Sequence, residues 1–410
     1  MSFLIPLVFA ATYLGMAAGR VPGLKLDRTG LALIGLAVLL LFSGEGTTKL
    51  FAAVDVPTLL LLFSLMILSA QFGAARLYEW CVARIVGSAA SPRRLLAMTV
   101  VISGGLSAVL ANDIVVFAIV PLMCFGLKGR GLDPKPYLLG VAGAANAGSA
   151  ATLIGNPQNI LIGQLGHLDF WEFLKVCGLP AVLSLVIVYG VIAYVWRREL
   201  GARPEPPVLE GVLRVALDRG QIIKGIAAIL LLLGLFASPL PRDISAFSVA
   251  AFLLASRRLE ARELLKTVDW NLLILIVCLF AITGAFARTG LPQQAINWLS
   301  LRGLLPDHLM LLAPLTLFLS NTIGNVPAVT LLMSVLGPLP HGLYYALALL
   351  STLAGNFLIV GSLANLIVAI RSEAAGVKLT FGDFARAGIP LTLLSMGLAS
   401  AWLAAGGWIG

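Results

Sequence analysis

Residues 146–163 read NAGSAATLIGNPQNILIG and lie inside an apolar run of about 136–165. A continuous helix is weakened here, because Gly155 has no side chain to restrict the backbone and Pro157 has no N–H to donate. Asn146, Ser149, Asn156, Gln158 and Asn159 add carbonyls, amides and hydroxyls. In a water-soluble protein the stretch would be an ordinary loop, but the rest of the chain excludes that. Of its 410 residues 59% are hydrophobic and only 11% charged, whereas soluble domains carry about a quarter charged residues. Apolar runs approaching the roughly 20 residues of a bilayer-spanning helix recur from end to end, and no stretch is polar enough for a separate soluble domain. Irregular backbone at membrane depth is tolerated only where it is buried in protein or lines a cavity. Residues 136–165 are therefore expected to form a broken membrane helix.

The break recurs. Residues 354–368 read AGNFLIVGSLANLIV within an apolar run of about 342–370, and Gly361 and Asn365 repeat the spacing of Gly155 and Asn159. Upstream, FAAVDVPTLLLLFSLMILSAQFGAARL (51–77) resembles LKTVDWNLLILIVCLFAITGAFARTGL (265–291), sharing Val-Asp, Phe72 with Phe286 and Leu77 with Leu291. Between these matches lie two short apolar segments, about 95–127 and 303–340. The first is flanked by basic residues at both ends and is too short for two full crossings and a turn. It reads as a re-entrant hairpin with Ala111-Asn112-Asp113 at its tip. The second has Ser320-Asn321-Thr322 at its centre, which pairs Asn321 with Asn112.

The other spans fall at about 2–19, 30–44, 56–75, 178–196, 222–238, 244–256, 270–287 and 388–405. The expected fold is an all-α polytopic membrane protein of about ten transmembrane helices plus two re-entrant hairpins, arranged in two inverted repeats with broken helices. The repeats are residues 1–196 and 222–410, joined by a cytoplasmic linker at 197–221. Each half holds an odd number of spans, so the second enters the bilayer upside down. Such repeats are an architecture of secondary transporters.

Charge fixes an expected orientation. With both termini outside, Lys49, Lys175, Arg242, Arg288 and Arg302 are external, and the other 23 of the 28 Lys and Arg face the cytoplasm. The net charge of +9 thus reports orientation in a cytoplasmic (inner) membrane, not a nucleic-acid partner. The first run, 2–19, lacks a preceding basic residue and is followed by Arg20, so it reads as a retained helix and not a cleaved signal. Cys81, Cys124, Cys177 and Cys278 have no metal-ligand spacing and read as buried free thiols. His167, His308 and His341 read as solvated loop residues, and Tyr78-Glu-Trp80 and Phe170-Trp171-Glu-Phe173 as interfacial helices. No phosphate-binding glycine loop and no intramembrane nucleophile set is present, which argues against ATP-driven transport by this chain and against an enzyme.

The chemistry is expected at the two tips and two breaks. Unwound carbonyls suit Na⁺, and the amino ends of half-helices suit an anion. Of the 19 acidic residues, Asp113 alone falls away from a membrane edge or loop, which marks it as the H⁺- or Na⁺-coupling residue. Ser149 and Asn356 belong to the same ion-binding set, and Asn156 and Ser362 to the substrate-binding set. No cofactor is implied beyond H⁺ or Na⁺. No Arg or Lys sits at either tip to clamp a multivalent carboxylate, which favours a small or weakly charged substrate.

At ANDIVVFAIVPL (111–122), NAGSAATLIGNPQNILIG, SNTIGNVPAVTLLM (320–333) and AGNFLIVGSLANLIV the chain resembles the ion transporter superfamily, in its arsenite-permease and citrate-transporter-like branches. The last three motifs also resemble divalent-anion/sodium symporters. That resemblance implies substrate or ion contacts for Asn112, Ser320, Asn321 and Thr322, and ion contacts for Gly155, Asn159, Gly361 and Asn365. Ala-Asn-Asp at the first tip departs from Ser-Asn-Thr and is more like arsenite permeases, which exchange substrate for protons. The resemblance further implies an elevator mechanism within a homodimer. The implied function is ion-coupled transport of a small anion such as arsenite, an inorganic oxyanion or a di- or tricarboxylate. A Na⁺/H⁺ antiporter is the other reading.

Overall fold

The computed structural model describes residues 3–18, 26–201, 215–255 and 260–409, and among them every long element is a helix. The first series is α1 (Leu4–Ala18), α2 (Arg28–Phe42), α3 (Thr47–Phe51), α4 (Val56–Ala74), α5 (Leu77–Val86), α6 (Pro92–Val109), α7 (Asn112–Lys128), α8 (Lys135–Ser149), α9 (Pro157–Leu165) and α10 (Phe170–Val195). The second is α11 (Arg219–Phe236), α12 (Arg242–Leu254), α13 (Ala261–Leu265), α14 (Trp270–Ala287), α15 (Leu291–Ser300), α16 (Leu309–Ile323), α17 (Asn325–Leu336), α18 (His341–Ala354), α19 (Leu363–Ala374) and α20 (Phe381–Ala405). Five of these, α4, α10, α11, α14 and α20, are long and apolar enough to cross a membrane alone. Most of the expected linker, 202–214, lies outside the described residues, as do Arg20, Lys25, Arg203, Arg214, Arg257 and Arg258.

Acidic residues at helix starts act as caps. Asp27, Asp55, Asp169, Asp218 and Asp269 each accept backbone N–H bonds from the first turn of α2, α4, α10, α11 and α14, respectively. A carboxylate there satisfies orphan donors and complements the positive end of the helix.

Three boundaries differ from the sequence reading. Phe170-Trp171-Glu-Phe173 is not a separate interfacial helix but the first turn of the 26-residue α10, which Asp169 caps and which continues through Gly178 and Pro180 without ending. The first hairpin turns at Leu110 and Ala111, so Asn112 already opens α7. The second turns at Gly324, with φ 95°, and Ser320-Asn321-Thr322 is the last turn of α16. By position in its hairpin the residue equivalent to Asn112 is thus Asn325, which opens α17.

The first hairpin and first broken helix touch backbone to backbone. A Cβ built on Gly148 in α8 would stand 2.1 Å from the Gly104 carbonyl oxygen of α6. Small residues permit such close approach in membrane proteins. Gly148→Ala is expected to cost about 1–3 kcal/mol, the usual range for overpacking. Gly234→Ala on α11, where a Cβ meets nothing within 4 Å, should leave the melting midpoint unchanged or raised. Thermal unfolding of the two purified variants checks the contrast. All four cysteines are free and buried, as expected.

Candidate substrate and ion site

The breaks are built from reciprocal amide bonds. Asn159 at the start of α9 donates through Nδ2 to the carbonyls of Ser149 (3.2 Å) and Thr152 (2.9 Å), ten and seven positions away. Asn365 in α19 does the same to Gly355 (2.8 Å) and Leu358 (3.0 Å), again ten and seven positions away. Each asparagine thus satisfies the carbonyls that unwinding frees, in a place that water does not reach. The two breaks also bond to one another. Asn146 Nδ2 donates to Asn356 Oδ1 (2.8 Å) and Asn365 Oδ1 (3.3 Å), and its Oδ1 accepts from Ser362 Oγ (2.9 Å). Thr352 Oγ1 donates to Asn159 Oδ1 (3.1 Å) and accepts from Asn156 Nδ2 (3.3 Å) and Gln158 Nε2 (3.2 Å).

Each hairpin tip docks on a break. The Asn112 backbone N–H donates to the Gly155 carbonyl (3.1 Å). The Asn325 amide, oriented to satisfy its neighbours, donates to the Gly361 carbonyl (2.7 Å) and accepts from Gln158 Nε2 (3.2 Å). Asn321 braces the second break from the side: Nδ2 donates to Leu317 and Ala354 carbonyls (both 2.9 Å), and Oδ1 accepts from Leu358 N–H (3.1 Å).

The expected site residues therefore divide. Asn112, Asp113 and Ser362 line a cavity of about 650 Å³. Ser149, Asn156, Asn159, Asn356 and Asn365 are buried in the network that ties the breaks together, and Gly155 and Gly361 offer carbonyls already taken by the tips. Ser320 and Thr322 stay in α16, where Thr322 Oγ1 bonds back to the Phe318 carbonyl (2.7 Å).

The cavity also collects residues that sequence reasoning left at membrane edges. Its wall includes Asp27, Arg28 and Thr29 of the α2 start, Asp269 and Asn271 of the α14 start, and Asn325 with Gln158. Six helix starts converge on it: α2, α7, α9, α14, α17 and α19. Their first-turn N–H groups and dipoles give the space a partial positive character. Arg28 adds a full charge, and this corrects the expectation of no basic residue at a tip. Its Nη2 donates to the Val360 carbonyl (3.3 Å), and its guanidinium fills the space beside Gly324, where a Cβ would stand 2.5 Å from Nη1. No local motif announces that contact, since Arg28 is 332 positions from Val360. Against these positive groups stand the carboxylates of Asp27, Asp113 and Asp269.

A second cavity of about 600 Å³ lies elsewhere between α14 and α17, lined by Ala53, His167, Thr283, Gly284, Ser334 and His341 among others.

Comparison with known proteins identifies the family. Residues 13–343 match the citrate transporter family, CitMHS. An uncharacterized transporter of Mycobacterium tuberculosis (strain ATCC 25618 / H37Rv) is 29% identical, with 98% of each chain covered. The silicon efflux transporter LSI3 of Oryza sativa subsp. japonica is 26% identical over 91% of this chain and 92% of its own. The crystal structure of the Alcanivorax borkumensis YdaH transporter superposes on 100% of this chain and 99% of that one, with a TM-score of 0.55 and 15% identity, a likeness of fold. The chain thus belongs to the citrate transporter family and is a polytopic membrane transporter, not an enzyme.

Proposed function

We propose that this protein is a secondary transporter that couples the movement of a small oxyacid or oxyanion to H⁺ or Na⁺. The observation that carries the reading is the cavity where six helix starts and Arg28 meet the carboxylates of Asp113 and Asp269. Helix starts and a guanidinium favour negative or strongly polar oxygen groups. Three carboxylates on the same wall oppose a substrate of high negative charge. A compact, weakly ionised oxyacid meets both conditions better than a tricarboxylate, and a silicon transporter among the relatives is consistent with that choice.

The rest of the reading follows the same frame. The halves 1–196 and 222–410 are taken as inverted repeats. The five-residue α3 and α13 and the ten-residue α5 and α15, which hold matching places in the two series, support this. Hairpins and broken helices would move as one transport domain, held together by the amide network, past a scaffold that includes α2 and α14. Cavities at two places along α14 leave room for such a slide. In the orientation set by the basic residues, with both termini outside the cytoplasmic membrane, the site opens toward the cytoplasm. A homodimer would anchor the scaffold.

Melting midpoints of the purified protein test the substrate assignment, because a ligand of the native state raises the midpoint with its affinity and concentration. Silicate, arsenite, phosphate and citrate are the panel. A rise with an oxyacid and none with citrate is the expected result, and Arg28→Gln should weaken that ligand at least about tenfold, roughly 1.4 kcal/mol. A rise with Na⁺ alone favours the second reading, a Na⁺/H⁺ antiporter, for which the carboxylates on the cavity wall already speak.

A further inference from the structure

We propose that Asp269 is the second carboxylate of the coupling-cation site, forming with Asp113 and the side-chain oxygen of Asn112 an oxygen-only seat for one monovalent cation. The inference rests on the coupled-transport reading above and adds to it a residue on the opposite side of the moving boundary.

Asp113 belongs to the first hairpin tip and Asp269 to the start of α14, yet both line the 650 Å³ cavity. Both also line the small recess beside it, together with Leu62, Leu65 and Met66 of α4. Asp269 spends Oδ1 on capping α14, accepting from the Leu272 N–H at 3.0 Å, and its Oδ2 has no hydrogen bond among the described residues. An independent observation points to a ligand. Asn112 is only 3% exposed and lines the same cavity, yet its Oδ1 is buried without a hydrogen-bond partner among the described residues. A buried acceptor left open calls for a donor or a cation. Beside two carboxylates, which also only accept when ionised, a cation satisfies all three oxygens at once.

The other charged groups on the wall are Asp27 and Arg28 of α2. Arg28 is engaged at the second tip, on the Val360 carbonyl and beside Gly324. The α4, α9, α17 and α19 residues that line the two spaces are uncharged. Asp55 offers a built-in comparison. It caps α4 as Asp269 caps α14, but its Oδ2 is taken by both the N–H and the hydroxyl of Thr58, and it lines neither space. In the proposed elevator the tip moves and α14 stays, so the seat is complete at one end of the stroke only. Cation occupancy would then gate the slide.

The test uses the full chain in detergent. Melting midpoints are followed while NaCl replaces choline chloride at fixed pH, and then while pH is varied without Na⁺. Asp269→Asn and Asp269→Ser remove the charge but keep a residue able to cap. Both are expected to weaken the cation response at least about tenfold, and Asp55→Asn to match wild type. The Na⁺ arm or the pH arm then names the cation. A wild-type response in both Asp269 variants, with the response lost in Asp113→Asn, overturns the inference and leaves the coupled-transport reading standing. An equal loss in Asp55→Asn assigns the effect to helix capping and also overturns it. Unchanged responses in the Asp113 and Asp269 variants alike overturn both.

Discussion

Asp113→Asn is expected to yield a folded protein that no longer concentrates its substrate against a gradient. Asp113 is the second residue of α7 and faces the cavity. Its carboxylate makes no hydrogen bond or ion pair among the described residues, so it is not a brace of the hairpin turn. The turn is held instead by backbone N–H groups, with Asn112 on the Gly155 carbonyl and Ala111 on Ser69 Oγ (2.9 Å). Asparagine keeps the shape, and it removes the only charge that the first tip presents to the cavity. If one H⁺ is coupled to each substrate, a gradient of one pH unit supports about tenfold accumulation, roughly 1.4 kcal/mol. The variant should bring that ratio to about one while substrate still equilibrates. Uptake into proteoliposomes with imposed pH and Na⁺ gradients measures it. Full accumulation with unchanged pH and Na⁺ dependence would remove Asp113 from the coupling step.

Asn365→Leu is expected to be among the most destabilising single changes in the chain. The side chain is 1% exposed and its Nδ2 serves the carbonyls of Gly355 and Leu358, which the break has released from helical pairing. Leucine of similar volume leaves the Gly355 carbonyl without its donor and the Leu358 carbonyl with only the Gly361 N–H (3.1 Å), and a buried acceptor left unpaired costs about 1–3 kcal/mol. It also removes the acceptor that Asn146 meets at 3.3 Å, which loosens one of the bonds between the two breaks. Asn159→Leu should behave alike, because it strands the Ser149 and Thr152 carbonyls and takes away the acceptor of the Thr352 hydroxyl. Thr322→Val is the contrast, since its hydroxyl bonds only back to its own helix and should shift the midpoint little. Midpoints or thermal half-lives of the three purified variants check the ranking. Equal stability of Asn365→Leu and Thr322→Val would show that the amides do not hold the breaks.

These two residues show how far local reading reaches. Asp113 was legible because a single acidic residue in a long apolar segment stands out against its neighbours. Asn365 was legible as a polar residue at a break, but its expected task was to bind an ion. In the structure its amide is occupied by the backbone, and the same holds for Asn159. Sequence shows that a polar group is present at depth; the neighbours that satisfy it decide whether any bonding capacity remains for a ligand. Asn325 was passed over for Asn321 because Ser320-Asn321-Thr322 stands at the centre of the 303–340 segment. The turn is set by Gly324, whose positive φ favours glycine.

By itself the sequence determined the membrane class, the helical fold, the two hairpins and the two breaks. Each of these follows from apolar run length and from Gly, Pro and Asn interruptions, which act on the backbone within a few residues. Only the tertiary structure decided which polar groups face open space. Arg28 and Asp269 open helices far from either tip in the chain, and they reach the cavity because α14 packs against α17 of the second hairpin and α2 packs against α14. The composition of that wall is set by contacts between distant helices, and such contacts leave no periodicity in the sequence.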